Sequence, residues 1–98
     1  MIKTALITGS SQGIGRAIAI KLAMEGYTVF ITYFRNKEKG ERTVAEIKKK
    51  GGRCFLIKTN VCSEKSVKRT IEFIRKKTGH LNILVNNAGI EVQDNRGS

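Results

Sequence analysis

Short runs of β-branched and apolar residues alternate along this chain with longer segments whose apolar residues recur every three to four positions. The runs cover residues 3–8, 28–34, 53–58 and 81–85, and a helical segment follows each of the first three. Because parallel strands of one sheet are joined by crossover helices, this alternation predicts right-handed βαβ units. We therefore predict an α/β fold with a parallel sheet between layers of helices.

The predicted helices are marked by apolar stripes and by glycines at their ends. In the first helix Ile14, Ile18 and Leu22 recur every fourth residue, so we expect this face to pack on the sheet. Gly26 is expected to end that helix in a left-handed conformation. The second and third helices carry narrower stripes and are expected to end at Gly51-Gly52 and near Gly79. The fourth run, 81–85, is predicted to be a buried strand.

Length, charge and cysteine content limit the class of protein to which this chain can belong. Its 98 residues suit one small domain, and 19 Lys plus Arg against 8 Asp plus Glu give a net charge of +11. A field of that sign attracts anions of any kind. Cys54 and Cys62 fit neither a zinc site nor a disulfide framework, so free thiols in a reducing cytoplasm are expected. We find no signal peptide or membrane-spanning run, and we predict a cytoplasmic location without membrane binding.

The glycine-rich segment Thr8-Gly9-Ser10-Ser11-Gln12-Gly13-Ile14-Gly15 lies between the first strand and the first helix. Glycines at this spacing allow a sharp turn and leave room for a phosphate against main-chain N–H groups. The positive end of the following helix would face that anion. The alternative is a structural turn, because strand-to-helix connections use glycine for geometry as well.

A second motif, Asn86-Asn87-Ala88-Gly89, follows the fourth strand. Together with Thr8, Gly9, Gly13 and Gly15 it resembles the short-chain dehydrogenase/reductase family, and most of all the 3-oxoacyl-(acyl carrier protein) reductases. The resemblance extends through Ile90. It implies a three-layer Rossmann-type parallel sheet, truncated to four strands in the order 3-2-1-4 with three helices. Residues 1–90 would form the dinucleotide-binding half of the domain and residues 91–98 a loose tail.

The resemblance also implies roles for both motifs. Backbone groups around Ser10, Ser11 and Ile14 would hold the ribose and pyrophosphate of the cofactor. The Thr8 hydroxyl would tie the loop to the segment 86–89. Main-chain groups of that segment would line the adenosine side, namely those of Asn86, Ala88 and Gly89. The alternative for this segment is a strand end held by amide side chains.

Arg35 bears on the choice of cofactor. NAD-binding domains usually place an acidic side chain near the end of the second strand, whereas this region is Tyr33-Phe34-Arg35-Asn36-Lys37. An arginine can hold a 2′-phosphate through two charge-assisted hydrogen bonds. The sequence therefore favours NADP(H) over NAD(H), and the alternative is a solvated loop arginine.

Asn60-Val61 lies where the resembled family usually has Asp-Val against the adenine ring. The side-chain oxygen of Asn60 can accept a hydrogen bond from the exocyclic amine, although more weakly than a carboxylate. The alternative is a turn residue before the third helix.

Catalysis in the resembled family requires a serine and a Tyr-x-x-x-Lys pair with no counterpart here, so we expect the chain alone to be inactive. Our first hypothesis is the NADP(H)-binding portion of a ketoreductase, complemented by a C-terminal half or by self-association. The second is a dinucleotide-binding or interaction module without chemistry, and the third a basic nucleic-acid-binding scaffold, which no motif supports. The basic runs at 48–50 and 75–77 lie late in their helices, where cations favour the negative helix end. The alternative is that they attract an acidic carrier protein.

Overall fold

The computed structural model describes residues 2–9 and 13–87, which form one four-stranded parallel sheet and three helices. The strands lie in the order β3-β2-β1-β4, as predicted. In chain order the elements are β1 (Thr4–Thr8), α1 (Gly13–Met24), β2 (Thr28–Tyr33), α2 (Lys37–Lys49), β3 (Arg53–Lys58), α3 (Glu64–Thr78) and β4 (Ile83–Asn86). Because β1 lies between β2 and β4, the loop that follows it emerges near the middle of the sheet.

Two apolar clusters place the helices on opposite faces of the sheet. One cluster joins alternate residues of β1 and β2, including Ile7 and Ile31, to Ala19 of α1 and Ile47 of α2. The other joins Leu6 and Phe30 to Ile74 of α3. Since successive strand residues point to opposite faces, the unbroken apolar runs of β1 and β2 serve both clusters. The three-layer prediction is therefore confirmed.

The buried face of α1 differs from the predicted one. Ile14 is 72% exposed, and the buried residues are Gly15, Ala19 and Ala23. A row of small side chains lets the helix axis approach the sheet closely, whereas a row of isoleucines would hold it away. Ile18 and Leu22 pack only at the margin of the cluster.

The prediction of a buried fourth strand was also wrong. β4 begins at Ile83 rather than Leu81, and Leu84 is 57% exposed. Leu84 pairs with Leu6 and shares its face of the sheet, but the second cluster contains Leu6 and not Leu84. The composition of a short apolar run does not show whether a neighbouring element covers it.

The helix ends follow the sequence more closely. Asn36 caps α2 by accepting a hydrogen bond from the Lys39 N–H at 3.1 Å, and Ser63 caps α3 in the same way. Gly26 and Gly79 have φ values of +100° and +91°, the left-handed conformation expected after a helix. Within the described part of the chain, none of the helices has the length and apolarity needed to cross a membrane.

Candidate functional site

A cavity of about 490 Å³ opens where β1, β2 and β3 end. Parallel strands place their carboxyl ends at one edge of the sheet, and the connections to the next helices form the walls there. Gly9 after β1, the β2 end from Thr32 to Asn36, and the segment from Thr59 to Cys62 after β3 line the cavity. Three loops that are distant in sequence therefore meet at one site.

The first wall is the glycine-rich turn. Gly9 and Gly13 have φ values of +66° and +65°, which side chains with a Cβ rarely adopt. A Cβ added to Gly13 would meet nothing within 4 Å, so its backbone conformation and not its packing requires glycine. Gly13 also begins α1, whose first N–H groups have no partner within the helix. Gly13 thus combines open space beside its Cα with a position at the start of the helix.

Side chains from two neighbouring strands hold this turn. The Thr8 hydroxyl lies 3.1 Å from Asn86 Oδ1 and 3.4 Å from the Val85 carbonyl oxygen. This is the link between the turn and the end of β4 that the resemblance implied. On the other side the Gly9 N–H donates to the Thr32 hydroxyl at 3.4 Å.

The Asn87 side-chain amide completes the set, because its Nδ2 donates to the Gly9 carbonyl at 3.1 Å. Asn86 and Asn87 therefore contact Thr8 and Gly9 through their side-chain amides. These polar contacts hold Thr8 and Gly9, at the start of the turn, in place before any ligand arrives.

The second wall carries positive charge. Arg35 is exposed and lines the cavity, and its Cζ lies 5.5 Å from the centroid of the Phe34 ring. Lys58 Nζ lies 6.0 Å from the same centroid, so a second cation is close to this end of β2. Asn36, the capping residue of α2, follows Arg35 directly, and the positive end of that helix adds to the local field.

The third wall is the loop between β3 and α3. The Asn60 N–H donates to the Ser66 hydroxyl at 2.8 Å, and Asn60 Oδ1 accepts from the Cys62 N–H at 3.0 Å. Asn60 is thus a turn residue in this structure, which was the alternative interpretation. A carbonyl oxygen has two lone pairs, so Oδ1 retains acceptor capacity for a ligand in the cavity.

The structure brings together Gly9, Arg35, Asn60 and Val61 of the predicted site residues, whereas Gly13, Ile14 and Gly15 form the first turn of α1 and do not line this cavity. Ser10, Ser11, Ala88 and Gly89 lie outside the described residues, as does the predicted tail.

Sequence analysis missed the hydroxyl and amide groups that hold the walls. Thr32 is the penultimate residue of β2 and Thr59 directly follows β3, and Thr59 forms a buried 2.6 Å hydroxyl contact with Thr70. A polar residue at or directly after the carboxyl end of a strand was the available indication for both. Asn87 belonged to a motif already singled out, but its role depends on a contact across the sheet.

The two cysteines differ sharply in environment. Cys62 is exposed at the cavity, whereas Cys54 is buried, and burial raises the pKa of its thiol from 9.0 to about 12, partly offset by Lys48. The folded chain therefore keeps this proton at a pH where the unfolded chain has lost it. The resulting stability is fully present below pH 9 and is lost as the pH rises towards 12.

We expect one fast and one slow thiol when the native chain is treated with iodoacetamide near pH 8. Cys62 should react as an ordinary exposed thiol. Cys54 should react about a thousandfold more slowly, because its thiolate fraction falls with its raised pKa. Mass spectrometry of digested samples measures both rates, and Cys62→Ser should remove only the fast phase. Rapid alkylation of both residues in the folded chain would contradict the burial of Cys54.

Fold and site together define a doubly wound α/β domain with a ligand cleft at the carboxyl edge of its sheet. Residues 3–97 match the family model for short chain dehydrogenase. The chain therefore belongs to the short-chain dehydrogenase/reductase family, a family of oxidoreductases that bind a nicotinamide dinucleotide.

Individual relatives agree with this assignment. The chain is 51% identical over 90 residues to the 3-oxoacyl-(acyl-carrier-protein) reductase FabG of Staphylococcus aureus, covering 92% of this chain and 37% of that protein. A dehydrogenase/reductase from Sinorhizobium meliloti superposes with a TM-score of 0.84 at 40% identity, covering 87% of this chain and 34% of that one.

A metagenomic short-chain oxidoreductase solved in complex with NADP superposes with a TM-score of 0.79 at 29% identity, covering 84% of this chain and 37% of that one. The chain thus spans little more than a third of the length of the relatives it matches.

Proposed function

We propose that this chain is the NADP(H)-binding portion of a short-chain reductase that acts on a carbonyl or hydroxyl group. The observation that carries the proposal is the cavity in which Gly9, Arg35 and Asn60 come together from three separate loops. A doubly wound sheet offers its ligand cleft at this edge, and each wall suits a different part of a phosphorylated dinucleotide.

The glycine turn is the proposed site of the pyrophosphate. Open space beside Gly13 and the donors at the start of α1 suit an anion that approaches the backbone closely. The hydrogen bonds from Asn87 and to Thr32 hold Gly9 in place, so little conformational entropy is lost on binding. Ser10 and Ser11 complete this part of the proposed site, with Ile14 contributing its main chain.

We propose that the other two loops bind the adenosine end of the cofactor. Arg35 suits the 2′-phosphate because guanidinium binds phosphate through paired, charge-assisted hydrogen bonds. Lys58 and the start of α2 strengthen the positive field there. Asn60 and Val61 suit the adenine ring, with Asn60 Oδ1 as an acceptor. The main-chain groups of Asn86, Ala88 and Gly89, after β4, are proposed to line the adenosine.

The chemistry assigned to the intact enzyme is hydride transfer between the nicotinamide and a carbon that carries oxygen. In this proposal the residues of this chain bind and orient the cofactor. We infer that the serine and the tyrosine–lysine pair of the family come from further sequence. The name of the FabG relatives includes an acyl carrier protein. We propose an acidic acyl carrier protein as the source of the substrate of the intact enzyme.

Isothermal titration of the chain with NADPH and NADH in one buffer tests the cofactor assignment. We expect NADPH to bind at least about tenfold more tightly, because a hydrogen-bonded charge contributes about 1.5–3 kcal/mol. Titration with 2′,5′-ADP and 5′-AMP isolates the adenosine end and should show the same ratio. NADPH should also slow the alkylation of Cys62, which lines the cavity. Equal affinity for the two cofactors would contradict the assignment to NADP(H). Failure of both cofactors to bind would contradict the proposed function.

A further inference from the structure

A surface between β3 and α3 has features that cofactor binding does not use. Phe55 and Phe73 are 37% and 40% exposed, and both rest on the buried ring of Phe30. The ring centroids lie 5.0 Å apart for Phe30 and Phe55, which are stacked, and 6.2 Å apart for Phe30 and Phe73, which meet edge to face. Lys77 Nζ lies 5.5 Å and 5.6 Å from the two exposed rings. We call Phe55, Phe73 and Lys77 the Phe55–Phe73 patch.

A groove of about 410 Å³ between β3 and α3 continues this patch. Ile57 and Phe73 supply apolar lining, and the charged lining consists of Lys58, Arg69, Lys76 and the carboxylate of Glu72. None of these residues lines the cavity proposed for the cofactor, although the Lys58 Nζ lies 6.0 Å from the centroid of the Phe34 ring, which does. With Lys77 beside them, four cations face one carboxylate. Charge complementarity therefore selects an occupant that is acidic and also carries an apolar group.

The backbone of β3 offers a further contact. β3 pairs with β2 from Arg53 to Lys58, and within residues 2–9 and 13–87 no strand pairs with its other edge. The outward N–H and C=O groups of an edge strand can form hydrogen bonds with an added strand. An extended chain laid along this edge would place its alternate side chains towards the groove.

Two other occupants fit these observations less well. A second copy would bring the same cations against this edge, and lysines on edge strands disfavour such self-pairing. A single-stranded nucleic acid would need an open aromatic face for its bases. One face of Phe55 stacks on Phe30, and Lys77 lies over the rings of both Phe55 and Phe73.

We propose that the free edge of β3, with the groove and the Phe55–Phe73 patch, binds an extended acidic peptide segment of a partner protein. The segment adds to the sheet as a fifth strand. One aliphatic side chain of the segment enters the groove against Ile57 and Phe73. The carboxylates of the segment pair with Arg69 and Lys76. Apart from Lys58, whose ammonium group also lies near the Phe34 ring of the cofactor cavity, this site shares no residue with that cavity.

Fluorescence anisotropy with the labelled peptide Glu-Thr-Val-Thr-Glu-Thr-Glu, whose valine and glutamates share one face of an extended strand, tests the proposal on the full chain at about 150 mM salt, where distant charges are screened. We expect binding that Arg69→Glu/Lys76→Glu weakens at least about tenfold, because like charges then face the carboxylates. The matched control, Lys65→Glu/Lys68→Glu, makes the same change of net charge at exposed positions of α3 outside the groove. It should change the affinity less than about twofold.

Three further probes separate the sources of affinity. A peptide with methylated backbone nitrogens should lose binding, because it cannot pair with β3. An all-glutamate peptide of the same length should bind more weakly, because it has no aliphatic side chain for the groove. An oligothymidylate should bind more weakly than the valine-containing peptide.

The proposal is overturned if the acidic peptide does not bind or if both double variants lose affinity equally. It is also overturned if backbone methylation has no effect, or if the all-glutamate peptide or the oligonucleotide binds as well as the valine-containing peptide. Circular dichroism checks the fold of each variant. If charge reversal prevents folding, the neutral pair Arg69→Gln/Lys76→Gln carries the same comparison.

Discussion

Arg35→Ala is expected to weaken NADPH binding by about 10- to 100-fold and to leave NADH binding nearly unchanged. The guanidinium lines the cavity at the end of β2 and has no role in the described apolar clusters. Its loss should therefore remove contacts to the 2′-phosphate without disturbing the fold. Arg35→Asp should go further and favour NADH, because a carboxylate repels the phosphate and accepts hydrogen bonds from the ribose.

Calorimetry with both cofactors measures this change, and Arg42→Ala provides the control. Arg42 lies on α2, has a side chain that is 70% exposed and pairs with Glu38 across one helical turn. Its removal makes the same change in net charge at a distance from the cavity lining. If Arg42→Ala weakened NADPH as much as Arg35→Ala, the preference would come from the general field of the chain. If neither variant altered the preference, Arg35 would have no part in it.

Phe30→Ala is expected to lower the free energy of unfolding by about 3–5 kcal/mol, a large share of the stability of a small domain. Phe30 is fully buried at the centre of β2, and both Phe55 and Phe73 rest on its ring. Alanine would leave a cavity under two aromatic side chains, between the sheet and α3. The exposed phenylalanine at the end of β2 makes a suitable comparison, and Phe34→Ala should cost about 1 kcal/mol or less.

Urea denaturation followed by circular dichroism measures both variants. A loss below about 1.5 kcal/mol for Phe30→Ala would mean that α3 collapses onto the vacated space, since the cost of a cavity depends on such relaxation. Equal losses for the two variants would contradict the central place of Phe30 in the second cluster.

The architecture could be predicted because local patterns and topology rules both determine it. Alternating strand and helix periods indicated parallel crossovers, and capping residues such as Ser63 marked the helix ends. The face of α1 that packs on the sheet could not be predicted from the apolar stripe of the helix. Ile14 has the period of a core residue but is exposed, and the close approach of Gly15 and Ala19 to the sheet depends on tertiary packing.

The candidate site divides in the same way. Glycine spacing indicated the turn, because unusual backbone conformations at Gly9 and Gly13 restrict the residue type. The bonds that fix the turn join Gly9 to Thr32 and Asn87, which are 23 and 78 positions away. Single-residue patterns contain no information on such distant pairs. For the same reason, the approach of Lys58 to the Phe34 ring beside Arg35 emerged only from the fold.

The central position of β1 has a consequence for how the chain acquires its structure. The first strand pairs with the last described one, through contacts such as Thr4 with Asn82 and Thr8 with Asn86, each 78 positions apart. Closing so long a loop is entropically costly, and proteins with many distant contacts fold slowly. On the ribosome, β1 can pair with β2 early, but its other edge waits until residues 82–86 have emerged. The turn after β1 therefore gains its contacts with Asn86 and Asn87 among the last steps of folding.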